Sequence, residues 1–255
     1  MGAGLDVLAL TDHDTTSGWA EAAAALPAGL SLIRGAEISC VRNGIPVHLL
    51  AYLFDPAEPA FAAERRALRV SRVGRAQQMV ELLAADGHPI TWAAVQVLAA
   101  GTVGRPHIAR ALMQQGLVGS VDEAFGDDWI GDGGRYWVAK KELDVVAAVR
   151  LVVDAGGVAV FAHPAATRRG RTVSAEVIRE MAQAGLAGLE VDHMDHDDAA
   201  RAELRGLASE LGLLTTGSSD FHGTNKQVSL GAFTTDESAL QEIADRASGV
   251  PVLAG

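Results

Sequence analysis

Cysteine is all but missing from this chain. Its one copy, Cys40, excludes an internal disulfide and makes a reducing cytoplasm the expected compartment. Positive charge is scarce too: 21 Lys and Arg face 32 Asp and Glu, for a formal net charge of −11. That deficit argues against long nucleic acid as a partner, because such binding needs cations to release counterions. A small phosphorylated substrate held through metal ions stays compatible, since bound cations reverse the local potential. No apolar run is long enough to span a bilayer: the stretch from Val145 to Val160 is broken by Arg150, Asp154 and Gly156-Gly157. The start, Met1-Gly2-Ala3-Gly4, runs at once into a strand-like segment and reads as neither a signal nor a transit peptide. No repeat of solenoid period is present. What remains is a globular composition, 49% hydrophobic and 21% charged over 255 residues, which suits one barrel or one domain with an insertion.

Short apolar runs alternate with helical patterns. Strands are expected at Val7–Leu10, Ser31–Ile33, Val47–Tyr52, Val158–Ala162, Gly188–Val191 and Leu213–Thr216. Helices are expected at Trp19–Ala25, Glu142–Asp154, Ser174–Ala184 and Asp197–Leu211. This alternation predicts a parallel sheet wrapped by helices. It breaks between about Pro56 and Lys140, where a long helix over Pro59–Ala85 and shorter helices supply no clear parallel strand. The expected division is therefore a barrel from residues 1–56 and 141–255, with a mostly helical insertion over its mouth from residues 57–140.

Six potential metal ligands follow or lie within these runs: His13, Glu37, His48, His163, Asp220 and His222. Imidazoles and carboxylates at the ends of buried strands are the ligand chemistry of a divalent-metal hydrolase. Each residue alone has a plainer explanation. His13 could be an ordinary loop residue beside an N-capping Asp12 or Asp14, Glu37 a solvated strand end, and His48 a core histidine. His163 is sharper, because Pro164 stops the strand where the imidazole would enter the mouth. Asp220-Phe221-His222 is sharper still, since the alternation puts both ligands on one side of an extended segment. Of the other histidines, His88 reads as solvated, and His107 as either a packed helix-start residue or, beside Arg105, an anion contact. His193 and His196 fall in an acidic loop that also reads as a helix start. Arg65, Arg69 and Arg72 share a helix face with Arg75 nearby, and a solvated basic face is the first expectation for them.

With those residues assembled, the chain resembles the polymerase-and-histidinol-phosphatase (PHP) family, in its branch of phosphoesterases acting on nucleotides and short RNA. The stretches that carry the resemblance are Gly4 to Gly18, Gly35-Ala36-Glu37, Val47 to Tyr52, Gly104 to Arg110, Gly156 to Pro164 and Gly217 to Gly223, in the family's order. The resemblance implies a distorted barrel of about seven βα units carrying an inserted helical domain. It implies two to three divalent metals in the complete fold, with Mn first and Fe or Zn as alternatives. Glu37 would bridge two ions, His48 and His163 would complete one site, Asp220 would serve another, and His13 and His222 would help hold the third. Glu37, Asp220 and His163 are the expected catalytic residues.

The chain departs from the family at its start. The family opens with a strand carrying His-x-His and a nearby Asp, whereas this sequence enters at what should be the second strand. We therefore expect Met1 to be a misassigned or internal start, and the missing βα unit to leave an open seam. The expected activity is hydrolysis of phosphate monoesters of nucleotides, nucleoside 3′,5′-bisphosphates above all, and of 5′-phosphorylated short RNA. Arg105, His107, Lys140 and Arg168 (or its neighbour Arg169) are the expected contacts to a second phosphate. The rivals are a histidinol-phosphate-type phosphatase, a truncated non-catalytic metal- or nucleotide-binding module, and an amidohydrolase. The last is disfavoured because no lysine stands at a strand end.

Overall fold

The computed structural model of the chain describes residues 2–99, 103–223 and 228–255. Met1, on which the expectation of a longer protein turns, lies outside them. In chain order the elements are β1 (Val7–Leu10), α1 (Trp19–Ala24), β2 (Ser31–Arg42), β3 (Ile45–Tyr52), α2 (Pro59–Ala85) and α3 (Trp92–Ala99). There follow α4 (Arg105–Gln114), α5 (Val121–Ala124), β4 (Leu143–Asp144), α6 (Val145–Asp154), β5 (Val158–Phe161) and α7 (Ala175–Gln183). The last are β6 (Gly188–Asp192), α8 (Asp198–Leu211), β7 (Leu214–Gly217), α9 (Glu237–Arg246) and β8 (Leu253–Ala254). Two compact units result, Met1–Arg65 with Glu142–Gly255, and Arg66–Lys141.

In the first unit the strands form an open, curled sheet in the order β1-β2-β3-β5-β6-β7, with β4 and β8 paired to β2. The sheet is mixed, which corrects the expectation of uniformly parallel strands. β1–β2, β5–β6 and β6–β7 are parallel, but β2–β3 and β3–β5 are antiparallel. The cause is a tight hairpin at Asn43-Gly44, where both residues have positive φ, 52° and 70°. Asn-Gly is the pair that two-residue hairpins favour, because both central positions need left-handed backbone. The turn lets β2 run for twelve residues, far past Ile33, where the apolar run ends.

The hairpin register has a direct consequence for the site. Ser39 pairs with His48 and Glu37 with Leu50. Side chains opposite each other, and those two residues apart on one strand, share a sheet face, so Glu37, Ser39 and His48 lie on one face. On the other side of β2, the β1 pairing of Leu10 with Arg34 continues to an isolated parallel bridge between His13 and Glu37. The core includes Ile33, Leu50, Tyr52, Val158, Val160 and Ile243. Helix α6 is N-capped by Asp144, whose Oδ1 accepts from the N–H of Val146 and Ala147 at 3.1 Å.

The second unit packs around Met79, Leu83, Val95, Ile108, Leu112, Ile130 and Tyr136. Two expectations fail here. Arg65 in the first unit and Arg72 and Arg75 in the second are buried, so of the arginine face of α2 only Arg69 is exposed. Arg65 is held by the carbonyl of Pro56 at 2.6 Å and lies over the Phe54 and Phe61 rings, which use the long stem as apolar surface. His88 is half-buried rather than solvated: its Nε2 is 3.0 Å from the Tyr136 hydroxyl, and its ring lies 5.1 Å from Trp129.

Candidate metal centre

His13 sits beyond the end of β1, Glu37 midway along β2, His48 midway along β3 and His163 just past β5. The Glu37 carboxylate gathers the three imidazoles. Oε2 is 3.5 Å from His13 Nδ1, while Oε1 is 2.7 Å from His48 Nδ1 and 3.3 Å from His163 Nε2. Ligand atoms of His13, Glu37 and His48 all lie within 4.8 Å of one another. Beyond β7, Asp220 Oδ1 is 3.3 Å from His222 Nδ1, and the His222 ring is 6.1 Å from that of His13. Asp220 joins the group through Arg169, whose two terminal nitrogens meet Asp220 Oδ2 at 2.7 Å and His163 Nε2 at 3.1 Å. All six residues expected from the sequence therefore belong to one connected cluster in the first unit.

The donor chemistry fits a divalent cation. A guanidinium can only donate, so the Arg169 contact requires a lone pair on His163 Nε2. That nitrogen then faces Glu37 Oε1, another lone-pair atom, at 3.3 Å, and His48 Nδ1 at 3.4 Å. Two lone-pair atoms turned toward each other in a buried place repel, and a shared cation removes the repulsion. Separations of 3.3–3.5 Å match, roughly, neighbouring ligands on a single ion. The residues that would hold it are Glu37, His48, His163 and His13, with Asp220 and His222 at the far edge.

Electrostatics prepare these groups. Burial pushes the His163 imidazole down to about 4, so it is neutral and offers its lone pair at physiological pH. For Glu37 burial acts to raise the pKa, but the His13 and His48 charges and the hydrogen bond from His48 outweigh it. The carboxyl is held well below its usual range. Two ligands sit on strained backbone, His163 at φ 34° and Asp220 at φ 48°, where a residue with a Cβ is disfavoured by ~1–3 kcal/mol. Such strain persists where surrounding contacts fix it. Here the His163 N–H donates to Glu190 Oε2 at 2.8 Å, and the Asp220 N–H to Ser218 Oγ at 3.0 Å.

Three residues of the site, Asp14, His193 and Glu190, have roles there that sequence reasoning did not assign. Asp14 neither ligates nor caps a helix. It is 1% exposed, its Oδ1 and Oδ2 accept from the Ser39 N–H and Oγ at 2.7 and 2.9 Å, and its own N–H donates to the Glu37 carbonyl at 2.9 Å. It thereby ties the His13 loop to the Glu37 strand. His193 is fully buried; the Asp195 N–H donates to its Nδ1 at 3.0 Å, which leaves Nε2–H to face Asp220 Oδ2 at 3.4 Å. Glu190, in the middle of a buried strand, is raised to about 8 by burial and by the Asp220 charge, against the His163 hydrogen bond. Arg169, named from the sequence only as the alternative to Arg168, is the arginine that joins the cluster, and Glu190 shows in the sequence as an acidic residue inside the apolar run Gly188–Val191.

The expected phosphate contacts separate. Arg168 is exposed, forms no hydrogen bond or ion pair among the described residues, and lines a neighbouring cleft of about 520 Å³ with Asp195, His196 and Glu203. Its neighbour Arg169 is the arginine that reaches the ligands. Arg105, His107 and Lys140 lie in the second unit. There Arg105 is paired with Asp132 at 2.6 Å and lies over the Phe125 ring, and His107 Nδ1 accepts the Gly104 N–H at 3.0 Å, capping α4. Burial and the Arg110 charge lower the His107 pKa. That is the packed helix-start histidine of the plainer reading.

A curled α/β sheet that presents imidazoles and carboxylates along one face is the arrangement that metal-dependent hydrolases use. The chain is 36% identical over 225 residues to a 3′,5′-nucleoside bisphosphate phosphatase of Chromobacterium violaceum, covering 85% of this chain and 76% of that protein. It is 33% identical over 220 residues to a 5′-3′ exoribonuclease of Haemophilus influenzae, covering 86% and 80%. A solved metal-dependent phosphoesterase from Bifidobacterium adolescentis superposes with a TM-score of 0.90 at 36% identity, over 97% of this chain and 88% of that one. No family model matches the chain. It belongs to the phosphoesterase family that includes the bisphosphate phosphatase and exoribonuclease relatives.

Proposed function

We propose that the chain is a PHP-type phosphoesterase of the cytoplasm that hydrolyses the phosphate monoester of nucleoside 3′,5′-bisphosphates, and stepwise the 5′ end of short phosphorylated RNA. The observation that carries this reading is the convergence of His13, His48 and His163 on both oxygens of Glu37. Its relatives' activities, bisphosphate phosphatase and exoribonuclease, support the substrate class. Divalent metal, Mn first with Fe or Zn as alternatives, would be held by Glu37, His48, His163 and His13, with Asp220 and His222 at the far edge. Bound there, divalent ions neutralise phosphoryl charge and acidify a water toward pKa ~7.

The chain's own groups do the rest. Glu37 fixes the spacing of the ligands, and Asp14 and Glu190 hold the backbone on either side of it. Burial favours the neutral His163 imidazole, which suits it to offer a lone pair rather than a proton. Arg169 is the phosphate contact within the first unit.

The test is Mn-dependent phosphate release from adenosine 3′,5′-bisphosphate, with His163→Ala as the control. Wild-type release, cut by about 10²-fold or more in the variant, is the expected result for loss of a group acting in the transition state. Equal turnover by the two chains refutes the ligand assignment.

A further inference from the structure

Arg169 stands out among the residues of the centre because a cation is the one kind of side chain a metal site does not ligate with. Its guanidinium has three nitrogens, and each meets a different partner: Nε to Asp195 Oδ2 at 2.7 Å, one terminal nitrogen to Asp220 Oδ2 at 2.7 Å, the other to His163 Nε2 at 3.1 Å. Two of these partners are proposed metal ligands. An imidazole Nε2 has a single in-plane lone pair, so it can accept the guanidinium N–H or bind a cation, but not both. At Asp220 Oδ2 a guanidinium and a divalent ion would compete for the same carboxylate and repel each other.

The third contact decides what happens when Arg169 gives way. Asp195 grips Nε, the nitrogen nearest the main chain, so the side chain stays tethered while both terminal nitrogens come free. Those two N–H groups form the fork that suits a phosphate. The residue lies in a short 3-10 turn, Thr167–Arg169, followed by Gly170 at φ 124°, and its side chain remains 33% exposed. The local backbone therefore lets the guanidinium turn without disturbing a strand or a long helix.

We propose that Arg169 competes with the divalent cation for Asp220 and His163, and that on metal binding it is handed over, still held by Asp195, to the phosphoryl group. This rests on the reading of the cluster as a metal centre. Arg169 thus acts as an internal counter-ion that holds the ligand set together before loading and becomes an anion contact after it. The consequence is a pair of opposite effects. Removing the guanidinium tightens metal binding and weakens phosphate binding, whereas a merely structural residue would weaken both.

The experiment is calorimetric and independent of turnover. Mn²⁺ is titrated into the metal-stripped chain, and inorganic phosphate into the Mn-loaded chain, for wild type, Arg169→Met and Arg169→Lys. The expected result for Arg169→Met is Mn²⁺ affinity raised about tenfold and phosphate affinity lowered about tenfold, the scale of one charge-assisted hydrogen bond. Arg169→Lys keeps the charge but cannot bridge Asp195 and the ligands at once, so its Mn²⁺ affinity falls between the other two. This second variant preserves the test if the methionine chain folds poorly. Unchanged or weaker Mn²⁺ binding in both variants overturns the competition, and unchanged phosphate binding overturns the hand-over. Absence of Mn²⁺ binding in all three chains overturns the metal-centre reading and the proposal with it.

Discussion

Asp14 should be the most sensitive position outside the ligands. Its carboxylate accepts the Ser39 N–H at 2.7 Å and the Ser39 Oγ at 2.9 Å in a site that is 1% exposed, and its backbone sits at φ 59°. Hydrogen bonds to a charged group contribute about 1.5–3 kcal/mol each, and alanine in left-handed backbone adds roughly 1 kcal/mol relative to aspartate. Asp14→Ala should therefore cost about 4–7 kcal/mol, the buried Ser39 N–H being left without this acceptor. Asp14→Asn keeps an acceptor for the N–H, can donate to the hydroxyl, and tolerates the backbone, so its cost should be about 1–2 kcal/mol. Urea unfolding of the metal-stripped chain measures both values. The same variants should weaken Mn²⁺ binding in the same order, because His13 and Glu37 are the residues that Asp14 ties together. An alanine variant within about 1 kcal/mol of wild type, or an asparagine variant as damaged as alanine, would refute the reasoning.

Two further perturbations test the frame around the ligands. Glu190 has its folded pKa raised from 4.5 to about 8, so its contribution is fully present below pH 4.5 and is lost as pH rises toward 8. In the metal-free chain Glu190→Gln should remove that loss, gaining on wild type by on the order of 3 kcal/mol at pH 8 and little at pH 5; a pH-independent difference in melting would sink the assignment. At Gly217 an added Cβ would lie 2.3 Å from the Thr234 carbonyl oxygen and 2.9 Å from Asp192 Cβ. Gly217→Ala should thus destabilise the chain by ~1–3 kcal/mol and displace Asp220, three residues on; wild-type stability together with wild-type Mn²⁺ affinity would contradict the close approach.

Much of the first unit was legible before folding. β5 appears as a continuous apolar run because a strand buried on both faces has no polar side to show. β1, β3, β6 and β7 show as apolar runs that are less uniformly buried or carry His48, Glu190 or Thr215-Thr216. The turn at Asn43-Gly44 and the apolar–polar alternation Ala36-Glu37-Ile38-Ser39-Cys40 were also written in the sequence, but the expected strand stops at Ile33 with the end of the apolar run. The pairing that extends β2 is supplied by β3, and propensity read along one strand does not contain it. The same holds for the second unit, whose helices follow from apolar spacing while the burial of Arg72 and Arg75 does not.

The site divides along the same line. Residue chemistry alone determined that His13, Glu37, His48, His163, Asp220 and His222 are donors of the right kind, each near a strand end or within a strand. Which of them meet, and at what distance, was decided by the hairpin register and the left-handed backbone at His163 and Asp220. Tertiary structure also chose Arg169 over Arg168, buried His193 beside Asp220, and turned Asp14 into a clamp on Ser39. A sequence records what a side chain can donate or accept. Only packing in three dimensions determines which partner stands within hydrogen-bond reach, and whether water is there to compete for it.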